Sequence, residues 1–381
     1  VTSGMRSSYA SSESAGNRQT NRAAGSRRRI MGHEPVAGGG SVKGLSGRVI
    51  MQGLFAATLT IALAGGAVRA QAPGEPSAVN RVTCDRDCLI DTVRLYMAAL
   101  PKHDPSWLRL ASNVRFTENN VVLPMGKGQW RSVNRVAESG LEVADAQTGN
   151  AAWFGVIWEH EQPAYFALRL HVKDGRIDEV ETVVHRKTGL PAPFGDPDKV
   201  EHDVAFDEVL PVEQRRPRER LIAVAQSYFN TVELNDGMVF APFDDECARL
   251  ENGISTTAAP KGGSGGGNAA AIAQGCEAQF KLGLYRINKR VRERRFPIVD
   301  EERGIVVASG FFDHANGFDR YKLTNGNEMK TALKWPNSIT LLEAFRVKDG
   351  KIHRIETVFT YVPYFMHNPW ATGRQYSELG Q

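Results

Sequence analysis

Fingerprints of cofactor chemistry are missing from this sequence. It has no G-x-x-x-x-G-K-[ST] phosphate loop, no G-x-G-x-x-G dinucleotide motif, no G-x-S-x-G elbow and no H-E-x-x-H pair. Four cysteines, Cys84, Cys88, Cys247 and Cys276, lack the paired Cys-x-x-Cys spacing of a zinc centre. Neither a metal nor a cofactor is expected. Charge of one sign is scarce as well. The formal charge is +4, and residues 1–48 alone hold eight Lys/Arg against Glu13 and Glu34. The remainder is close to neutral, which removes the electrostatic basis for binding nucleic acid. The apolar run 53–68 is short for a membrane span and contains three glycines.

What is present is an ordinary globular composition, 41% apolar and 24% charged over 381 residues, which favours two domains. The first fifty residues, rich in Ser, Gly and Arg, cannot bury a core. Lys43 and Arg48 precede the run 53–68, and Val68-Arg69-Ala70 stands before Gln71. A basic flank, a short apolar core and small residues at a cleavage point are the layout of a secretory signal. Residues 1–72 are therefore expected to be a disordered N-terminus and signal peptide, and the protein to be exported, periplasmic or secreted. A membrane anchor is the competing reading. In an exported chain an even cysteine count favours disulfides, most economically Cys84–Cys88 and Cys247–Cys276.

The chain repeats itself. KDGRIDEVETVV (173–184) and KDGKIHRIETVF (348–359) agree at seven of twelve positions. Upstream, residues 88–120 run parallel to 221–253. Both stretches begin with an amphipathic helix, on Leu89, Val93, Tyr96 and Met97 and on Leu221, Val224, Tyr228 and Phe229. Strands follow at 151–158, 165–172 and 176–184 in one half, and at 294–299, 304–312, 339–347 and 351–359 in the other. The turn residues between them predict antiparallel hairpins. Helices before antiparallel strands point to an α+β fold with helices on one face of a curved sheet. Residues 190–217, with five prolines and no periodicity, read as a linker. The second half carries insertions around 256–275 and 315–338, of a length that often covers a site.

With these elements in order, each half resembles the NTF2-like superfamily (SnoaL-like, ketosteroid-isomerase-like), a cone of helices against a bent antiparallel sheet. CARLENG, the later Cys276 and RRFPIVDEERGIVV, with TENN (117–120) and VPYFMHNPW (362–370), resemble an uncharacterised family of secreted bacterial and fungal proteins with two such domains. The resemblance implies cone-shaped domains at 83–189 and 218–370 and a tail at 371–381. It also implies acid–base chemistry without a cofactor, of the lyase, dehydratase or isomerase type, or else a non-catalytic binder of small molecules.

Such chemistry needs a carboxylate or histidine in a dry pocket and a donor for developing charge. Glu343 interrupts an apolar strand among Leu341, Phe345 and Val347, so its pKa should be raised. Its counterpart in the first half is Leu168. Asp313 and His314 end a strand before an insertion, with Glu159 and His160 at the matching place. These make Glu343, His314 and Asp313 the candidate catalytic residues. Tyr228, Arg249, Arg295 and Tyr361 are the candidate substrate-binding residues, although pairing of Arg249 with Glu251 or a neighbouring acid is the favoured reading of that arginine. Arg115 is read as the counterpart of Arg249, and Tyr96 as that of Tyr228. Glu181 and Glu356, shared by the repeated stretches, fall on the strand face that points away from the cone, towards the contact between halves or a salt bridge. The expected partner is a small-molecule substrate, with no nucleic acid and no membrane after signal cleavage. The halves are expected to pack as an internal pseudo-dimer, with the second half carrying the site and a homo-oligomer left open.

Overall fold

The computed structural model describes residues 84–189, 192–257, 274–315 and 317–371. The signal-like run, the KGGSGGGN stretch and the chain after 371 lie outside the described residues. In the first half, α1 (Arg86–Ala99) starts at Asp85, whose side chain accepts the Cys88 amide as an N-cap. It buries Leu89, Val93, Tyr96 and Met97, as its periodicity requires. Seven strands follow: β1 (Leu110–Glu118), β2 (Val121–Leu123), β3 (Val133–Val136), β4 (Leu141–Asp145), β5 (Asn150–Glu159), β6 (Gln162–Lys173) and β7 (Arg176–Arg186). The second half has α2 (Arg218–Leu234), β8 (Phe243–Glu251), β9 (Ile254–Ser255), α3 (Cys276–Lys281), β10 (Arg290–Asp300) and β11 (Ile305–His314). The hairpin β12 (Arg320–Lys322) and β13 (Glu328–Lys330) precedes β14 (Asn337–Lys348) and β15 (Lys351–Pro363). The fold is mixed α+β and dominated by sheet.

The two sheets run β2-β1-β7-β6-β5-β3, with β4 also on β5, and β9-β8-β15-β14-β11-β10. Each ends in an antiparallel hairpin closed by Asp-Gly. Asp174 and Gly175, like Asp349 and Gly350, have positive φ, as a two-residue turn of this hand requires. The repeated KDG is therefore the turn into each closing strand. That strand then lies parallel to the first strand of its own half, with Phe116 beside Val180 and Arg249 beside Ile355. This parallel pairing was not part of the sequence reading, because hydrophobic period alone carries no strand direction. Asn119 and Asn252 seal it in the same way. Each takes a left-handed φ and exchanges side-chain hydrogen bonds with the backbone of Val184 or Phe359.

Strand alternation sorts the core into three layers. Phe166, Leu168 and Leu170 pack beneath α1, and Leu341, Phe345 and Phe359 beneath α2. The opposite faces meet each other: Phe154, Val156 and Ala167 pack with Val307, Leu342 and Val358. The sheets are thus back to back with the helices outside. Glu181 lies in this middle layer, where it takes hydrogen bonds from Arg169 Nε (2.7 Å) and, across the halves, from Arg295 Nη2. Glu356 alternates with Val358 onto the same face. There, burial and the nearby Asp203 push its carboxyl up to about 7. Trp370 closes one edge, donating its indole N–H to Thr117 Oγ1 at 3.0 Å between the guanidiniums of Arg115 and Arg169. Residues 192–217 hold more structure than their prolines suggest. Short 3-10 turns at Val204–Phe206 and Val212–Gln214 bury Phe206 and Leu210, and Phe206 plugs the inter-sheet core.

Candidate active site

A cavity of about 200 Å³ opens between α2, α3 and the helix-side face of the second sheet. Five of the seven candidate residues line it: Glu343, Tyr228, Arg249, His314 and Tyr361. Glu343 projects from the middle of β14. Its Oε1 accepts the Thr357 hydroxyl at 2.8 Å from the facing strand, while Oε2 has no partner in strict hydrogen-bond geometry and the Tyr228 hydroxyl bears on the carboxyl from α2. Burial raises its pKa to about 8. The Thr357 hydrogen bond, Arg249 and Tyr228 pull the other way, and Glu251 adds to the rise. At neutral pH the carboxyl is mostly protonated.

Arg249 is fully buried and held on several sides. Its Nε donates to Thr256 Oγ1 (2.9 Å) and pairs with Glu251 (3.2 Å), and its Nη2 donates to Gln279 Oε1 (2.7 Å) and to the Tyr285 hydroxyl. Burial opposes its charge, but Tyr285, Glu251 and Tyr228 outweigh that and hold its pKa above the usual value. Burial also raises the Tyr228 hydroxyl, helped by Glu343, and pushes Tyr361 up to about 12, helped by Glu251. Both tyrosines stay protonated and can donate. The Cys247–Cys276 disulfide ties β8 to α3, so Arg249 and its partners Gln279 and Tyr285 are braced together.

His314 has a different setting. Its Nδ1 meets Asn337 Oδ1 and its Nε2 meets Asn288 Oδ1, both at 2.8 Å. Burial lowers its pKa, against the pull of the Asn337 hydrogen bond and Asp313. Register puts His314 opposite Asn337, six residues along β14 from Glu343, so the two spring from points about 20 Å apart along the strand. They do not form a pair. Asp313 and Arg295 lie outside the cavity. Alternation turns Asp313 to the far face, where it accepts from Arg290 (2.8 Å), Arg292 (2.9 Å) and Ser338 (2.6 Å). Arg295 faces the first half and holds Glu181 and Ser309.

The first half offers an internal comparison. Glu343 faces Thr357 as Leu168 faces Thr182, so the two occupy the same register. The register partner of Arg249 is Phe116, whereas Arg115 matches Ala248. Arg115 and Arg249, near-equivalent in sequence, stand one residue apart in register, and at the matching strand ends Glu159 corresponds to His314. In the first half Trp130 fills the space beside Tyr96, donating its indole N–H to the Tyr96 hydroxyl at 3.0 Å. Gln279, Tyr285 and Thr357 are not singled out by the sequence, and Glu251 is singled out only as a partner for Arg249, a pair the structure contains. Glu251 and Thr357 recur as Glu118 and Thr182, so the repeat could have marked them. Gln279 and Tyr285 lie between β9 and β10, outside the stretches in which the repeat is legible in sequence.

Residues 214–359 match the model of a family described as "Domain of unknown function (DUF8021)". No curated protein matches the chain. Among solved structures, the chain is similar to a "Putative Isomerase" from Bacillus subtilis at 12% identity and a TM-score of 0.24, over 37% of this chain and 87% of that one. It is also similar to a "putative polyketide cyclase" from Xanthomonas campestris pv. campestris at 19% identity and a TM-score of 0.24, over 38% of this chain and 92% of that one.

Proposed function

We propose that this protein is an exported, cofactor-independent enzyme of two NTF2-like domains, with acid–base chemistry on a small organic substrate in the second-half cavity. The reaction class is lyase, dehydratase or isomerase. One observation carries the reading: Glu343 and Arg249 are buried where the same fold, in the same chain, uses Leu168 and Phe116. Burying a charged or unsatisfied polar group costs several kcal/mol, roughly, and the first half shows that the architecture does not need it. The two disulfides support export.

Glu343 is the proton carrier. With a pKa of about 8, roughly one molecule in ten is ionised at pH 7, so the acid and base forms are both at hand. As a base it takes a proton from substrate carbon on Oε2, while the C–H electron pair passes into the substrate. As an acid it returns that proton. Thr357 fixes Oε1, which leaves Oε2 as the oxygen that carries the proton. Arg249, braced by Gln279 and Tyr285, supplies positive potential for charge that develops next to Glu343, and Tyr228 and Tyr361 offer neutral hydroxyls. His314 holds Asn288 and Asn337 at the distal end and is a positioning residue.

The test is incubation of the mature protein with a metabolite mixture in D2O, followed by mass spectrometry. The wild type should deplete a compound or introduce deuterium, and Glu343→Gln should lose that activity while staying folded. Equal conversion by both proteins would defeat the proposal. Retention of a compound without conversion would favour a binding protein.

A further inference from the structure

The charges around the cavity bear on what it admits. Every element packed against Glu343 contributes: Tyr228 from α2, Arg249 and Glu251 from β8, Tyr285 from the segment after α3, and Thr357 and Tyr361 from β15. His314 stands at the far end. Of these, Arg249 and Glu251 are paired with each other as the ion pair of the lining. The arginine is also engaged by Thr256, Gln279 and Tyr285, so most of its donor capacity is used within the protein. A buried arginine usually suggests a carboxylate ligand, but here that carboxylate is already supplied by Glu251. An anionic ligand would leave the lining with an uncompensated negative charge away from water. A cation would face Arg249.

Two further facts fix size and polarity. An apolar cavity of about 150 Å³ holds benzene, so about 200 Å³, walled by Phe280, Phe312, Leu341 and Phe359, suits one ring with a short substituent. Among the described cavity-lining residues, Glu343 Oε2 is the one buried side-chain polar atom without a partner in strict hydrogen-bond geometry, the Tyr228 hydroxyl being the protein donor that bears on the same carboxyl. A site built with an open hydrogen-bonding group discriminates strongly for a ligand that completes it. We infer that the cavity takes an uncharged, single-ring ligand whose polar substituent meets Glu343 Oε2, and that it turns away carboxylates despite the arginine in its wall. The inference rests on the site proposed above, but not on turnover there.

The test is a solution NMR titration of the full chain at pH 6.5 with four ring-matched probes: benzyl alcohol, benzoate, benzylammonium and toluene. Benzyl alcohol should bind at least tenfold more tightly than benzoate or benzylammonium, with shifts at Leu341 and Phe359. Glu343→Leu, which installs the residue found at this register in the first half, should weaken the alcohol about tenfold and leave toluene unchanged. Glu251→Gln should strengthen benzoate at least tenfold, because Arg249 then lacks its counter-charge. Wild type binding benzoate as tightly as the alcohol would overturn the inference, and so would the absence of shifts with all four probes. Should Glu251→Gln fail to fold, the wild-type ranking alone decides. Binding in the stated order, with no Glu343-dependent conversion of any compound, would defeat the catalytic proposal and leave this one standing.

Discussion

Replacing Glu181 with alanine should cost the protein roughly 3–5 kcal/mol, the price of breaking a buried ion pair from one side. The structure shows why the loss is large. Glu181 is 3% exposed and takes Arg169 on one oxygen and Arg295 of the other half on the other. Without it two guanidiniums remain in the inter-sheet layer. Arg169 keeps Glu179 (2.8 Å) and Asn150 (2.9 Å), and Arg295 keeps Ser309 (3.0 Å), which argues for the lower end of the range. Total stabilities are about 5–15 kcal/mol, so even about 3 is readily measured by urea denaturation. Acid supplies a second reading. Burial would raise the Glu181 carboxyl, but Arg295 and Arg169 outweigh it and hold the pKa below the usual carboxylate range. Its contribution is therefore complete above the unfolded value of 4.5 and lost as pH falls through the folded one. The gap between wild type and Glu181→Ala should be full at pH 7 and narrow towards pH 3. A variant within about 1 kcal/mol of wild type at pH 7 would refute the view that this cluster locks the halves together.

Glu343→Gln should show the opposite sign in the same experiment. A folded pKa of about 8 against 4.5 means the wild type loses about 1.4 kcal/mol per pH unit relative to the glutamine variant across that interval, and a flat difference would contradict it. Removing the Cys247–Cys276 bond by a double serine substitution opens a 29-residue separation and should cost roughly 3–4 kcal/mol. It should also weaken ligand binding by releasing Gln279 and Tyr285 from Arg249, and an unchanged affinity would show that the disulfide does not brace the site. Trp130→Ala should destabilise the protein by roughly 3–5 kcal/mol through the cavity left beside Tyr96. Its effect on ligand affinity in the second half should be negligible, as read by titration of both proteins.

Fold class was legible because two periods recur in order. Spacing of 3.6 marked the helices at Leu89 and Leu221, and alternation marked the strands after them. The Asp-Gly turns gave the hairpins directly. Direction and partner were hidden. That β7 and β15 return to lie beside β1 and β8 depends on the whole sheet closing, and no local residue encodes it. Glu343 stood out because a carboxyl in an apolar run is costly unless used. Asp313 and Arg295 looked similar on chemistry alone, but strand parity, which a β-bulge on β10 shifts, decided which face each one takes. Arg249 could be aligned with Arg115 only while the register was unknown, and the ladder moves the match to Phe116.

The central claim is that Glu343 is an acid held ready to exchange a proton in the second-half cavity. It is tested most directly by following the side-chain carboxyl carbon of Glu343 by 13C NMR from pH 4 to pH 10, with Glu343→Gln identifying the signal. A midpoint near 8 is the predicted result. A midpoint near the ordinary 4.5 would mean that the carboxyl is an ionised structural group, and the claim would fall.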